Sequence, residues 1–362
     1  MNINYEYNYA TFKDRYLSTN DVLIMPSTGT VKSRKDINLD LNTFIYASPM
    51  DTVSSESLFY SMFSTNQAAL SCRFSTIDNR IKELDTFCNQ SNYWFTVGSS
   101  KQDFELLSSW AVDNPHAKIN IAVDVAHGDT IFLHKIYRKY RTAKWCKSLM
   151  SGTVATYESA SQCFKAGCTH IRVGIGPGSA CSTRIVTGCG VPNLSAVFNV
   201  WEGFSHYQSN TPKIIADGGI KTTGDIAKYL AAGADGVMIG SLLSKTKESG
   251  GWKTNKLKYL LNLLSFKTLF KDHTYKCYRG QASAEFQLER RGKISGTPEG
   301  VQALPQIPQY SYLDFYDQIV SALRSTLSYT GLKKLEQLNP FNIKFVRITQ
   351  NGLTESKPHI LS

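Results

Sequence analysis

The Cys181 thiol lies within a stretch that is unusually rich in glycine, residues 172–197, which read RVGIGPGSACSTRIVTGCGVPNLSAV. Glycine bends the backbone tightly and leaves amide groups free, so a loop of this kind can approach a ligand closely. A thiol on such a loop is suited to nucleophilic attack on an electron-poor ring carbon, provided that its pKa is lowered. The alternative is a long surface loop with an incidental cysteine.

Two further residues could move protons around this thiol. Thr183 follows Cys181 closely in the chain and could relay a proton. Glu299 is a candidate acid-base group, because burial can raise the pKa of a glutamate towards neutrality. Its alternative is a solvated turn glutamate after Pro298, and the sequence does not place it near the thiol.

Short apolar runs recur along the chain, and helical patterns separate most of them, for example at 159–166 and 223–232. Alternating strands and helices imply parallel strands joined by crossovers. Eight such units predict an α/β fold, the (β/α)8 TIM barrel, with a doubly wound open sheet as the alternative. The predicted strands are 44–47, 68–71, 94–97, 119–123, 149–152, 170–173, 213–216 and 236–239.

Residues 1–362 are predicted to form this single barrel domain. From about 242 to 308 the pattern weakens, and a long irregular segment after the last strand is typical of an active-site lid or of disorder. The tail resumes with a helical pattern at 312–326 and ends in an apparent strand at 344–348.

The loops that follow the strands of such a barrel surround one mouth, where barrel enzymes have their sites. This topology would place Asp51, Arg73, Asp124 and Asp217 around the same opening as Cys181. The convergence favours a functional cysteine over an incidental one. Asp124, in the DVAHG turn, could bond a cofactor amide or ribose; its alternative is an N-cap for a helix that starts near residue 129.

Two glycine turns, ADGG at 216–219 and MIGS at 238–241, follow the seventh and eighth strands. In barrels this is a frequent phosphate site, built from backbone amides. Gly218, Gly219, Gly240 and Ser241 can let a phosphate approach the main chain, and the acceptors of Asp217 suit ribose hydroxyls. The alternative is that these are turn glycines only.

The backbone of the GPGSAC loop could also hold a monovalent cation, because hard cations prefer oxygen ligands. Its candidate ligands are the carbonyl groups of Gly176, Gly178 and Cys181, and K+ is the expected ion. His127 has no partner at metal-ligand spacing and is not expected to bind a metal.

Composition excludes several classes of protein. The net charge of +11 is spread without a long basic run, so no nucleic-acid partner is expected; a diffuse positive surface favours anionic small molecules or serves solubility. The eight cysteines form no CxxC pair, and the first residues are polar and aromatic, so we expect free thiols and a cytoplasmic location. The sequence contains no run of about 18 apolar residues, so a membrane span is not expected.

Several motifs together resemble the inosine-5'-monophosphate dehydrogenase and guanosine-5'-monophosphate reductase family. GIGPGSxCxTR, MDTV, ADGG and YRG occur in family order between about Leu17 and Gln350. The resemblance implies a (β/α)8 barrel, a homotetramer or larger, that binds a purine mononucleotide with a nicotinamide cofactor beside it. Cys181 would bond covalently to purine C2, and Thr183, Glu299 and Arg73 would be the other catalytic residues.

The resemblance also implies two sets of binding residues. Those for the substrate are Met50, Ser179, Asp217, Gly218, Gly219, Gly240, Ser241, Arg279, Gly280 and Gln281. Those for the cofactor are Asp124, Ala126, Gly128, Gly174 and Ser325.

The resemblance favours the reductase over the dehydrogenase. Dehydrogenases usually carry regulatory CBS modules after the second strand, for which residues 75–93 are too short, and a mobile flap with an Arg-Tyr pair, which is missing before Glu299. TGCGVPNLSAV and LRST resemble the reductase, although YTG resembles the dehydrogenase equally. The prediction is NADPH-dependent reductive deamination of GMP to IMP and ammonia through a Cys181 thioimidate. The alternatives are an IMP dehydrogenase without CBS modules and a catalytically altered purine-nucleotide-binding member.

Ser48-Pro49 replaces the usual small-Asn pair of the family before Met50, and two further departures affect the predicted chemistry. Arg73 stands where the reductase commonly has a lysine, and an arginine is a weak proton donor by comparison. Gln281 stands where the family has methionine, in a loop that contacts the base. A guanine nucleotide that is deoxy or modified in its base is therefore a further alternative for the substrate.

Overall fold

Eight parallel strands form a closed ring in the computed structural model, which describes residues 16–29, 31–37, 39, 42–207, 209–251, 253–255, 274–303, 306 and 308–358. A short strand, β1 (Val22–Ile24), lies outside this ring. The ring consists of β2 (Ile45–Ala47), β3 (Ala69–Leu70), β4 (Tyr93–Val97), β5 (Ile119–Val123), β6 (Cys146–Val154), β7 (His170–Val173), β8 (Lys213–Asp217) and β9 (Gly236–Ile239).

Closure of the ring distinguishes the barrel from an open sheet. The strand order runs from β2 through β9 and down to β3, each strand parallel to its neighbour. Between β2 and β3 the Ala68 amide donates to the carbonyl of Ile45 at 2.9 Å, and the Ala47 amide donates to the carbonyl of Ala68 at 3.0 Å. The predicted TIM barrel is therefore confirmed, and the doubly wound alternative is wrong.

Helices connect the barrel strands or follow the last of them, and most begin after a serine or threonine. They are α1 (Glu56–Ser64), α2 (Ile77–Phe87), α3 (Lys101–Asp113), α4 (Ile131–Thr142), α5 (Tyr157–Lys165), α6 (Thr183–Thr187), α7 (Asn193–Ser205), α8 (Thr223–Ala231), α9 (Ala284–Arg291), α10 (Tyr312–Thr330) and α11 (Gln350–Glu355). Side chains of Ser55, Thr76, Ser100, Thr130 and Thr222 accept the amide that lies three residues on, which satisfies an otherwise orphan donor. Thr130 caps α4, so the N-cap alternative for Asp124 is wrong.

Large side chains fill the interior of the barrel. Successive residues of a strand point to opposite faces, so alternate residues face inwards. Tyr46, Trp94, Met150 and Met238 belong to this inner cluster. His170 packs edge-on against the Trp94 ring at 4.7 Å, and burial lowers its pKa to about 3, which keeps the ring neutral. A ligand therefore has room only at an end of the barrel.

The segment after β9 contains more regular structure than its sequence predicts. A 3-10 turn spans Leu243–Lys245, and β10 (Lys253–Asn255) pairs antiparallel with β11 (Thr274–Lys276) before α9 begins. The predicted lid at 242–308 falls partly outside the described residues. The predicted tail strand is β12 (Phe345–Arg347), which pairs antiparallel with β1, a strand that no sequence pattern indicated.

The loop after β5 lies directly against β6. A Cβ atom built on Gly128 would come within 2.6 Å of the Gly152 carbonyl oxygen, which is closer than real atoms approach. Gly128→Ala should therefore lower the free energy of unfolding by about 1–3 kcal/mol, measured by urea denaturation.

Gly224→Ala is the matched control, because its Cβ would meet only the Thr222 hydroxyl at 3.6 Å, near the start of α8. This change should stabilise by roughly 0.4–1 kcal/mol. Equal effects of the two substitutions would contradict the close approach at Gly128.

Candidate active site

A cleft of about 430 Å³ opens at the carboxyl ends of the barrel strands. Loops that follow β2, β3, β5, β7, β8 and β9 contribute to it, together with residues from both sides of α9. The sequence-predicted residues that line it are Met50, Arg73, Asp124, Ala126, Gly174, Gly176, Gly178, Ser179, Cys181, Thr183, Asp217, Gly218, Gly219, Gly240, Ser241, Gly280, Gln281 and Glu299.

Four predicted residues lie outside this lining. Gly128 packs on Gly152, as described above. Asp51 and Arg279 do not line the cleft; they form an ion pair at 2.6 Å, and Arg279 also pairs with Glu289 at 2.5 Å. Ser325 lies on α10, where its hydroxyl donates to the Ser321 carbonyl at 3.1 Å. The cofactor role of Gly128 and Ser325 stays a prediction.

The cysteine thiol and the glutamate carboxylate are joined through one hydroxyl. The Cys181 Sγ lies 3.2 Å from Thr183 Oγ1, and this hydroxyl donates to Glu299 Oε2 at 2.8 Å. The thiol is exposed to the cleft, whereas Glu299 is half-buried. A proton released by the thiol can therefore pass to Thr183 while the threonine proton passes to the carboxylate.

Backbone hydrogen bonds hold these two distant parts of the chain together. The Ser182 amide donates to the Glu299 carbonyl at 2.9 Å, and the Val301 amide donates to the Ala180 carbonyl at 3.0 Å. A Cβ on Gly280 would lie 2.6 Å from the same Ala180 oxygen, so the chain there requires glycine. The position of Glu299 is therefore fixed by the cysteine loop itself.

An arginine side chain supports the cysteine loop from within. The Arg184 Nε donates to the Ile175 carbonyl at 2.8 Å, and Nη2 donates to the Val191 carbonyl at 2.6 Å. Gly176 and Gly190 adopt positive φ and lie against this side chain, where a Cβ atom would approach it within 2.7 Å. The absence of side chains at Gly176 and Gly190 thus leaves space for the Arg184 side chain that supports the loop.

A row of alternating charges crosses the floor of the cleft. The Arg172 guanidinium lies 2.8 Å from Asp217 and 3.2 Å from Asp124, and Asp124 also accepts from Arg73 at 3.3 Å. Burial opposes the charge of Arg172, but the two carboxylates outweigh it and raise its pKa above the ordinary value. Each Asp124 oxygen holds one arginine, and the Oδ1 of Asp217 receives no hydrogen bond from the described residues.

Arg172 was not predicted as a site residue, although a signal was present. Arg172 is a charged residue inside the strand β7 and shares a face with His170, which points into the barrel. Tyr278 was also missed as an individual site residue. Its hydroxyl lies 3.5 Å from Ser179 Oγ, and burial raises its pKa above the ordinary value, so it remains a hydrogen-bond donor.

The glycine turns after β8 and β9 leave main-chain donors free. Gly218 and Gly219 have φ of +82° and +74°, the left-handed region that favours glycine. Among the described residues, no partner accepts a hydrogen bond from the amides of Gly219 and Ser241. Free amides of this kind can bind an anionic oxygen.

The three carbonyl groups predicted to bind a cation differ in whether they already accept a hydrogen bond. The Gly178 carbonyl accepts the Cys181 amide at 3.0 Å, whereas the carbonyls of Gly176 and Cys181 accept no hydrogen bond from the described residues. These oxygens fit a monovalent cation, and K+ stays a prediction. Within the described ranges there is no group of three or more His, Cys, Asp or Glu that could hold a metal ion.

A buried lysine anchors the segment that leads to the cleft. The Lys276 Nζ donates to the carbonyls of Thr246 at 3.1 Å, Lys247 at 2.7 Å and Ser249 at 2.5 Å. The side chain is only 5% exposed. It therefore ties the loop after β9 to the strand that precedes Tyr278.

The eight cysteines differ in exposure, and all are free thiols. Burial raises the pKa of Cys72 and Cys163 to about 12 and that of Cys146 to about 11, so these remain protonated at neutral pH. Cys181 and Cys189 are exposed.

We expect Cys181 to be the cysteine that iodoacetamide alkylates fastest at pH 7, because it is exposed and its proton has a hydroxyl to pass to. Mass spectrometry of tryptic peptides after timed labelling measures each rate. Cys189 of the same protein is the internal control, since it is also exposed but its thiol contacts the Thr187 carbonyl instead of a hydroxyl that leads to a carboxylate. Labelling of Cys189 as fast as Cys181 would contradict an activated thiol.

Lys276→Ala should lower the free energy of unfolding by about 1–3 kcal/mol, because it leaves the cage of carbonyls unsatisfied. Ammonium chloride should restore part of this loss by filling the cage, whereas tetramethylammonium chloride, which is too large, should not. Lys101→Ala is the control, as Lys101 is 80% exposed. Equal responses of both variants to ammonium would contradict a cation cage.

No described helix is both long enough and apolar enough to cross a membrane. A family model named "IMP dehydrogenase / GMP reductase domain" matches residues 9–359. An inosine-5'-monophosphate dehydrogenase of Chlorobaculum parvum is 37% identical over an alignment of 252 residues, which covers 66% of this chain and 47% of the relative.

Other curated relatives carry the same name. The inosine-5'-monophosphate dehydrogenase of Thermoplasma acidophilum is 37% identical over 270 residues, or 73% of this chain and 51% of the relative. That of Borreliella burgdorferi is 36% identical over 244 residues, or 66% of this chain and 57% of the relative. The chain spans about half the length of these relatives. The family match covers nearly the whole chain and confirms the resemblance seen in its motifs: the chain belongs to the IMP dehydrogenase / GMP reductase family.

Proposed function

We propose that this protein is an oxidoreductase that exchanges hydride between a nicotinamide cofactor and C2 of a purine mononucleotide, through a covalent adduct on Cys181. The observation that carries the proposal is the contact of the exposed Cys181 thiol with Thr183 and, through it, Glu299. The family supports the same chemistry. A nucleophile joined to a base by a relay is the arrangement that covalent catalysis requires.

The residues of the cleft have separate tasks in this proposal. The free amides of Gly219 and Ser241 hold the phosphate, and the unbonded Oδ1 of Asp217 accepts from a ribose hydroxyl. Asp124 and Gly174 line the cleft where a cofactor would lie beside the base. When bound, the nicotinamide supplies or accepts the hydride.

Reductive deamination of GMP by NADPH is the first candidate direction, and the sequence of the segment before Glu299 favours it. Cys181 adds to C2, and ammonia leaves with a proton that Thr183 delivers from Glu299. Hydride addition to C2 and loss of the thiolate then give IMP. Residues 281–298 contribute Gln281, Ala282 and Gln287 to the cleft lining, and the segment contains no Arg-Tyr pair to activate water for a hydrolytic step.

Oxidation of IMP is the second candidate, and the names of the curated relatives favour it. In that direction hydride leaves C2 of the Cys181 adduct, and water hydrolyses the thioimidate to release XMP. The Thr183–Glu299 pair is the described group next to the thiol that could activate this water. The comparisons support this direction better, whereas the segment before Glu299 supports the reductive one.

A cofactor assay in both directions tests the proposal. GMP with NADPH should give a fall in absorbance at 340 nm and one ammonia per cofactor oxidised, with little NADH formed from IMP and NAD. The reverse outcome would establish the dehydrogenase. Turnover in neither direction, across guanine, deoxyguanine and inosine nucleotides, would sink both candidates and favour a nucleotide-binding member without catalysis.

Thr183→Val should lower kcat by about 10²–10⁴-fold in whichever direction is active, because it breaks the relay while Cys181 and the binding residues stay in place. The KM for the nucleotide should change little. Thr187→Val, at the other end of α6, is the control and should leave kcat within about twofold. Unchanged kcat in Thr183→Val would contradict the relay.

A further inference from the structure

Positive charge is concentrated in one part of the chain. Residues 130–157 contain six lysine and arginine side chains and no aspartate or glutamate. All of these cations are exposed to solvent; they are Lys135, Arg138, Lys139, Arg141, Lys144 and Lys147. The net charge of +11 is therefore unevenly distributed, although no continuous basic run reveals this in the sequence.

The fold gathers part of this charge at the amino ends of the barrel strands. Arg141 lies in the last turn of α4, and a Cβ atom on Gly167 would come within 2.8 Å of its Cγ, so the ends of α4 and α5 are in contact. Two cations lie at the start of β6, one lies directly before β5, and one ends α5. With Arg141 they form what we call the basic end: Lys118, Arg141, Lys144, Lys147 and Lys165.

The basic end is opposite to the candidate active site. The cleft lies at the carboxyl ends of the strands, whereas these cations lie at the amino ends of β5, β6 and β7. None of the five side chains lines the cleft. A partner bound at the basic end would therefore leave the cleft open.

The basic end lacks counter-charges. Among the described residues, none of its five cations forms an ion pair. On α3, by contrast, Lys101 pairs with Glu105 at 2.8 Å, one helical turn away. Asp113 is the single acidic residue between positions 106 and 123. The positive charge of this end is thus largely uncompensated.

Helix stabilisation explains only part of this arrangement. A cation near the carboxyl end of a helix interacts favourably with the helix dipole, which accounts for Arg141 and Lys165. Lys118 and Lys147 lie beside or within strands, so the dipole does not explain them. Clustered like charges repel one another, and an anionic partner would remove that repulsion.

The shape of the basic end favours an extended partner. Its cations come from three successive strand–helix units, so they cover an area instead of following one groove. Val112, in the last turn of α3 at the same end of the barrel, is 77% exposed and adds an apolar side chain. A membrane surface offers both anionic headgroups and an apolar layer beneath them. A single nucleic-acid strand is typically bound in a basic groove with aromatic rings for stacking.

We propose that the basic end docks on an anionic lipid surface and that the cleft faces away from this surface. Each lysine or arginine near such a surface strengthens the attraction, and added salt weakens it. The inference does not depend on the proposed function, because it concerns the other end of the barrel.

Cosedimentation of the full chain with vesicles tests the inference. Vesicles of phosphatidylcholine alone are compared with vesicles that also contain about 30% phosphatidylserine. The apparent Kd should be at least about 10-fold lower with phosphatidylserine, and an increase in NaCl from about 50 to about 500 mM should remove most of this difference. The double variant Lys144→Glu/Lys147→Glu should bind the phosphatidylserine vesicles at least about 10-fold more weakly.

Lys32→Glu/Lys35→Glu is the matched control, because it changes the net charge equally at two exposed lysines outside the basic end. Its Kd should stay within about threefold of the native value, and thermal melts check that each variant is folded. Equal losses in the two double variants, or equal binding to both kinds of vesicle, overturn the inference. Binding of a single-stranded oligonucleotide without binding to phosphatidylserine vesicles also overturns it and identifies nucleic acid as the partner.

Discussion

The guanidinium of Arg172 fixes the geometry on which the candidate site depends. It is buried at the end of β7 and bonds carboxylates from β8 and from the loop after β5. Removal of one partner of a buried ion pair leaves the others uncompensated and typically costs 3–5 kcal/mol. The Arg172 side chain therefore links the carboxyl ends of β5, β7 and β8. The loops that follow these strands are held at a fixed distance from one another.

The second constraint is backbone contact between two segments that are far apart in sequence. The strand-like pairing of Cys181 with Gly300 places a carboxylate beside a thiol without any special side-chain recognition. The glycines of both segments permit this approach, since a Cβ on Gly300 would lie 3.1 Å from the Ala180 oxygen. A change in the segment before Glu299 therefore alters the chemistry of the thiol through the main chain.

Most of the fold could be predicted from the sequence, because hydrophobic runs and strand–helix alternation report it directly. The strands β7 and β9 have the bounds that their apolar runs predict, at 170–173 and 236–239. The strand β1 was missed because its partner β12 lies at the other end of the chain, and no local pattern reports such pairing. The position of Glu299 could not be predicted either, since it depends on backbone contacts with the cysteine loop, which lies far away in sequence.

Residues of the candidate site were predictable where a cluster of glycines surrounds a reactive side chain or follows a predicted strand, and less so elsewhere. The thiol loop and the two glycine turns were found from the pattern of glycines and their positions after predicted strands. The roles of Arg172 and Lys276 were not, because a charge inside a strand is recognised as structural only when its partners are known. Gln281 was noticed as a departure from a family pattern, but the contact of its side-chain amide with the Pro49 carbonyl could not be predicted.

The row of charges on the cleft floor has a consequence for the response to salt. Charged side chains along the lining balance in sign: Arg73, Arg172 and Lys221 against Asp124, Asp217 and Glu299. The overall charge of +11 acts on an approaching anion only from outside, and at physiological ionic strength it is screened beyond roughly 8 Å. A phosphorylated ligand in this cleft would be bound by uncharged amide dipoles. Added salt would therefore lower its association rate constant more than it would raise its dissociation rate constant.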